Sequence, residues 1–85
     1  MRHARPDALD TLEPLLAEIR VHAALKEKTR GVFYLRGKAW LHFHEDPAGL
    51  FADLRQGGDW LRLRVSEPAE QHALLLAVDQ ALRAA

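Results

Sequence analysis

The sequence contains no cysteine, and this absence removes three kinds of chemistry at once. Disulfide bonds, thiolate nucleophiles and thiolate metal sites are all excluded in this chain of 85 residues. The lack of cysteine is typical of the reducing cytoplasm, where we expect the protein to be located. No apolar run is long enough to cross a bilayer, and the basic segment 1–6 is not followed by the apolar core of a signal peptide. We therefore do not expect a membrane as a partner.

The chain also lacks net charge and the usual groups of covalent catalysis. Its 12 basic and 12 acidic side chains cancel, so any binding to nucleic acid would need a local patch. The only serine, Ser66, is best explained as a helix cap, and no phosphate-binding loop is present. We expect no catalytic residue, no cofactor and no enzymatic activity.

What the sequence does contain is the composition of one globular domain, residues 1–85. Hydrophobic residues make up 48% of the chain, and the charge is moderate. A chain of this length buries only about 60–65% of its unfolded surface, so its stability margin is modest and a dimer would help.

Helical periodicity occurs at both ends of the chain. Leucines at three- and four-residue intervals mark the first helix, and Pro14 predicts a firm helix only from about 14 to 22, after an irregular turn over 6–12. Ser66 or Glu67 can cap a second helix that has Pro68 in its first turn. The segment 23–30 fits either a continued helix or an edge strand.

A period of two predicts four strands between the helices. They cover 32–35, 39–44, 50–55 and 60–65, and tight turns join them into an antiparallel meander. One face of this sheet is apolar and must be shielded from water by other parts of the chain. The sequence therefore predicts an α+β two-layer sandwich, with the N- and C-terminal helices on one face of a four-stranded sheet.

The opposite, outer face of the sheet is unusually aromatic and cationic. Alternation assigns to it Trp40, His42, His44, Phe51, Asp53, Arg55, Trp60, Arg62 and Arg64. Tryptophan and arginine are enriched at the centres of interfaces, so our first interpretation is self-association as a homodimer. Three alternatives stay open: single-stranded nucleic acid, a small anion held by the arginines, or a segment of the chain folded over the face. All of these residues except Asp53 are our predicted partner-binding residues.

His42 and His44 form the nearest approach to a metal motif. On a strand they point to the same side about 7 Å apart, and Glu45, Asp46 or Asp53 could add an oxygen ligand. His44 could also act as a general base beside Asp46 or Asp53. Such pairs are more often structural, so we predict no metal site and keep the two histidines as its only candidates.

The order of parts resembles the YjbR/MmcQ-like group of small bacterial proteins. The resemblance runs from about 12 to 82 and depends on the hairpin Gly-Val-Phe-Tyr-Leu-Arg-Gly-Lys-Ala-Trp-Leu-His-Phe and the strand Gly-Leu-Phe-Ala-Asp-Leu-Arg. It implies an α+β fold without enzymatic activity, and a DNA-binding "double-wing" role has been suggested for the group. This chain is shorter and lacks a Trp-Val strand near its C-terminus, and the resemblance assigns no site residue.

Overall fold

A computed structural model describes residues 1–85 and gives the chain two helices and six antiparallel strands. In chain order the elements are β1 (Arg2–His3), α1 (Pro6–Ile19), β2 (Leu25–Thr29), β3 (Val32–Leu35), β4 (Lys38–Asp46), β5 (Gly49–Gln56), β6 (Asp59–Arg64) and α2 (Pro68–Ala84). Strands β2 to β6 lie side by side in that order, and β1 pairs with β4. The predicted α+β class is confirmed.

The sheet is larger than the predicted four-stranded meander. The four predicted strands are present as β3 to β6, and the ambiguous segment 23–30 supplies β2, an edge strand with charged residues. β1 was not predicted, because two residues are too short to show a periodicity. It is held by the pairs Arg2–Glu45 and His3–His44, and the Ala4 amide donates to the Phe43 carbonyl over 3.0 Å. This places β1 beside β4 in the sheet, beyond the end of β3.

The first helix begins earlier than the sequence predicted. It runs from Pro6 to Ile19 with Pro14 inside it, so the expected irregular turn over 6–12 was wrong. Pro14 is exposed, and the carbonyl of Asp10 that loses its amide donor there lies on the solvent side, where water can bind it. On the opposite side of the helix five apolar residues are buried, and their packing offsets the lost hydrogen bond.

The second helix begins where the sequence predicted, at Pro68. Glu67 is its N-cap residue, and the Glu70 carboxylate accepts hydrogen bonds from the backbone amides of Glu67 (2.9 Å) and Ser66 (3.0 Å). The Ser66 hydroxyl instead accepts from the Leu50 amide over 2.9 Å, which ties the start of α2 to β5. Neither helix has the length and continuous apolar surface needed to span a membrane.

One core joins both helices to the inner face of the sheet. Its 15 buried residues are Ala4, Leu9, Leu12, Leu15, Leu16, Ile19, Phe33, Trp40, Leu41, Phe43, Ala52, Leu54, Val65, Leu74 and Val78. The members from β4 and β5 are those that alternation assigned to the inner face, with one exception, Trp40.

Trp40 faces the core, and not the outer side of the sheet as predicted, because β4 contains a bulge. Phe33 pairs with Leu41 and the next residue, Tyr34, pairs with Ala39, so Trp40 has no partner on β3. An extra residue interrupts the alternation, and Trp40 and Leu41 both join the core. Trp40 is only 5% exposed, so its assignment to the outer face was wrong. The carbonyl of Ala39 at the bulge accepts a hydrogen bond from Nε of Arg55 at 2.8 Å.

A cluster of ion pairs fastens the β2–β3 hairpin to α1. Arg20 binds both Glu13 and Glu27, and Arg30 binds Asp10 and Glu13 over 2.8 Å each. Hydrogen bonds from the Arg20 and Arg30 guanidinium groups lower the pKa of Glu13 from its usual value to about 2. Glu13 is the one carboxylate that both arginines share.

This cluster predicts a loss of stability in acid. Because the pKa of Glu13 is lower in the folded chain, its contribution is present above its unfolded pKa of about 4.3 and is lost as the pH falls towards 2. Urea denaturation at a series of pH values should show a smaller loss between these limits for Glu13→Gln than for the wild type. Glu18→Gln, on the same helix but outside the cluster, is the control and should follow the wild type. An equal acid loss in all three proteins would contradict this role of Glu13.

Candidate functional site

The side chains of β4, β5 and β6 that face away from the helices form a connected group, which we call the outer-face cluster. Its members are His42, His44, Asp53, Arg55, Trp60 and Arg62. The register of the strands brings these side chains together. Asp53 lies on β5, between β4 and β6, and pairs with His42 on one side and Arg62 on the other. Arg55 pairs in the same way with Trp60. The alternation in β5 and β6 therefore predicted these neighbours correctly.

Asp53 is the centre of the cluster. It is only 6% exposed, and Arg62 binds both of its carboxylate oxygens, with Nε to Oδ1 and Nη2 to Oδ2 at 2.8 Å each. The Arg62 guanidinium lowers the pKa of Asp53 below its ordinary value, so the carboxylate is ionised at neutral pH. Its Oδ2 also lies 3.2 Å from Nε2 of His44.

The two histidines turn their rings towards each other. Nδ1 of His42 lies 2.8 Å from Nε2 of His44, although the strand rise separates their backbones much further. Burial and the neighbouring charge of His44 lower the pKa of His42, so its imidazole is neutral at neutral pH. The nearest donor atoms of His42, His44 and Asp53 all lie within 4.8 Å of one another. Two imidazoles and one carboxylate therefore converge on a single point.

Trp60 is the exposed aromatic group of the cluster. Its side chain sits between two neighbours, with the His42 ring centroid at 4.6 Å and the Arg55 guanidinium carbon at 4.3 Å. It remains 41% exposed. Together with His42, Asp53 and Arg62 it lines a shallow depression of 240 Å³.

Three of the predicted partner-binding residues lie outside the cluster. Trp40 is in the core, as described above. Phe51 is half-buried and pairs with His44 along the strands. Arg64 extends to the end of the sheet, where it binds the Glu70 carboxylate at 3.1 Å and the Ala48 carbonyl at 3.3 Å. Arg64 therefore secures the β4–β5 turn to α2.

Sequence reasoning missed a third histidine near this pair. β1 brings His3 beside β4, and the ring centroids of His3 and His44 are 6.4 Å apart. The only signal that could have shown this is the pairing of β1, which the sequence pattern does not reveal. Asp53 was assigned to the outer face, but its central place depends on side-chain geometry.

The largest cleft of the molecule does not lie over the histidines. It has a volume of 610 Å³ and lies between the β3–β4 turn, the β5–β6 turn and the C-terminal end of α2. Leu35, Trp40 and Ala81 give it an apolar lining, and Arg36 and Lys38 give it a cationic rim. Trp40 therefore borders a cleft, but on the side of the sheet that carries the helices.

The outer-face cluster contains no hydroxyl or thiol group. Its groups are two imidazoles, one carboxylate that is ion-paired, two guanidinium groups and one exposed indole. These groups suit contact with a partner or coordination of an ion. Comparisons of the chain with protein-family models, with curated proteins and with solved structures find no match.

Proposed function

We propose that this protein is a small interaction module of the cytoplasm that self-associates as a homodimer through the outer face of its sheet. The observation that carries the proposal is Trp60, a large indole that is 41% exposed at the edge strand β6. An exposed indole beside an arginine is the composition that is enriched at the centres of protein interfaces. Tryptophan is also the residue most enriched where interfaces hold their binding energy.

The surroundings of Trp60 support an interface because they are already ordered. His42 packs against one part of the ring, and Arg55 packs against it while its Nε is held by the Ala39 carbonyl. Binding loses affinity for every flexible side chain that must be immobilised. Binding through a tryptophan that is held in this way loses less affinity than binding through one that is free to move.

Charge and area are also compatible with a contact between two copies. Arg62 is neutralised by Asp53, so covering Arg62 would not bury a charge without a partner. A stable interface covers roughly 800 Å² on each partner. The chain has 5077 Å² of accessible surface, of which such an interface would take about a sixth.

Trp60→Ala tests the proposal. The wild type is expected to have the mass of a dimer in sedimentation equilibrium or in light scattering coupled to size exclusion, and Trp60→Ala the mass of a monomer. The matched control is Leu76→Ala, because Leu76 is a similarly exposed apolar residue, at 53%, on α2 away from this face. Leu76→Ala should stay dimeric.

Two results would contradict self-association through this face. One is a wild type that stays monomeric at the highest concentration reached. The other is a dimer that Leu76→Ala dissociates and Trp60→Ala does not. Trp40 is unsuitable for this test, because removing a core residue would destabilise the chain whatever its oligomeric state.

Nucleic-acid binding and membership of the YjbR/MmcQ-like group remain predictions from the sequence. Support for a phosphate-binding face is weaker than that for self-association, because the guanidinium groups of Arg62 and Arg64 already form ion pairs with Asp53 and Glu70. For this reason we place self-association first.

A further inference from the structure

Three potential metal-ligand atoms of the outer-face cluster lie so close together that one shared proton cannot bond well to all of them. Nε2 of His44 lies 2.8 Å from Nδ1 of His42 and 3.2 Å from Oδ2 of Asp53. A ring nitrogen of histidine carries at most one hydrogen, so Nε2 of His44 can donate only one hydrogen to these two neighbours. A single cation at the same point would contact all three donor atoms at once.

From this convergence we propose that His42, His44 and Asp53 bind one divalent transition-metal ion of the zinc type. Two imidazole nitrogens and one carboxylate oxygen are a ligand set that such ions accept, with a further position left for water. The assignment goes beyond the proposed function, because all three ligands belong to one copy of the chain.

The distances between the donor atoms are close to those of a metal site. For Zn–N and Zn–O bonds of about 2.0–2.1 Å, the edges of a tetrahedron measure roughly 3.3 Å. The two edges that meet at Nε2 of His44 measure 2.8 and 3.2 Å. The remaining edge lies within the 4.8 Å that encloses the whole group. Side-chain movements of a fraction of an ångström up to about 1 Å would complete the site.

The surroundings of the three ligands resemble those of a prepared site. Arg62 binds both oxygens of Asp53 and fixes the carboxylate with Oδ2 towards His44. Ligating carboxylates are commonly held in this way by a hydrogen-bonding neighbour. The depression beside Trp60, lined also by His42 and Asp53, gives an ion a route from solvent.

The test is a titration of the chain, prepared without a histidine tag and stripped with EDTA, with ZnCl₂ in a calorimeter. We expect saturable binding of one ion per chain, which native mass spectrometry would count directly. Co²⁺ in place of Zn²⁺ should give the intense visible bands of a low-coordinate site. His42→Gln, His44→Gln and Asp53→Asn should each weaken the affinity by about tenfold or more.

His72→Gln is the matched control, because His72 is an exposed histidine on α2, and it should bind like the wild type. Circular dichroism checks that each variant is folded. Should Asp53→Asn unfold, His44→Gln decides the matter, since His44 is half-buried and forms no bond to Arg62. His3→Gln tests the nearby histidine of β1, and retention of binding in this variant is expected.

Failure of the metal site can be told apart from failure of self-association. No saturable Zn²⁺ binding, equal affinity in His44→Gln and the wild type, or loss of binding in His72→Gln would each overturn the proposed site. A chain that stays monomeric and still binds one ion per copy would contradict the homodimer and support the metal site.

Discussion

Replacing Trp40 with alanine is expected to lower the free energy of unfolding by about 3–5 kcal/mol, the range for deleting a large aromatic side chain from a core. Trp40 is 5% exposed and packs with both layers of the fold, so its removal leaves a cavity. A domain of 85 residues has a total stability of only about 4–13 kcal/mol. The substitution would therefore remove a large share of the total stability.

Trp60→Ala is the matched comparison, because it deletes the same side chain from an exposed position. Its effect on an isolated chain should be no more than about 1 kcal/mol. Urea denaturation at low protein concentration, followed by circular dichroism, measures both values. A cost for Trp60→Ala equal to that for Trp40→Ala would contradict the bulge in β4 that separates the two tryptophans.

Gly31→Ala is expected to have the second-largest effect, a loss of about 2–5 kcal/mol that combines a backbone part and a packing part. Gly31 has a φ of 79°, where a side chain costs about 1–2 kcal/mol. A Cβ at this position would also lie 2.6 Å from Cδ2 of Leu9, a buried residue of α1. Crowding of a packed core adds roughly 1–3 kcal/mol.

Gly37→Ala separates these two contributions. Gly37 has nearly the same φ, 82°, but a Cβ there would meet no atom within 4 Å. Its substitution should cost only the backbone part, about 1–2 kcal/mol, in the same denaturation measurement. Equal losses for the two variants would show that Leu9 yields to the added methyl group.

The features that were predicted correctly from the sequence are those that follow from a regular alternation of residues or from local capping residues. β5 and β6 alternate without interruption, and their outer residues Asp53, Arg55, Trp60 and Arg62 are where the pattern placed them. The start of α2 was also predictable, because Pro68 and an acidic cap mark it within the chain itself. Local chemistry of this kind needs no knowledge of the rest of the fold.

The features that were missed depend on contacts between distant residues. The bulge at Trp40 is defined by its pairing with β3, and a sequence of alternating aromatic and aliphatic residues carries no sign of it. β1 has only two residues, so it exists through its partner β4. Helix α1 continues through Pro14 because packing of its buried side stabilises it by more than the loss of one hydrogen bond destabilises it.

The arrangement of the strands also bears on how the chain folds. Strands β2 to β6 each pair with the next strand along the chain, so most of the sheet can form over short loops with little loss of chain entropy. The bonds that fix the amino terminus are different, since Arg5 and Glu45 are 40 residues apart. We therefore expect the hairpins to form first and β1, with His3, to pair only after β4 has formed. On this expectation the amino-terminal segment is the last part of the sheet to become ordered.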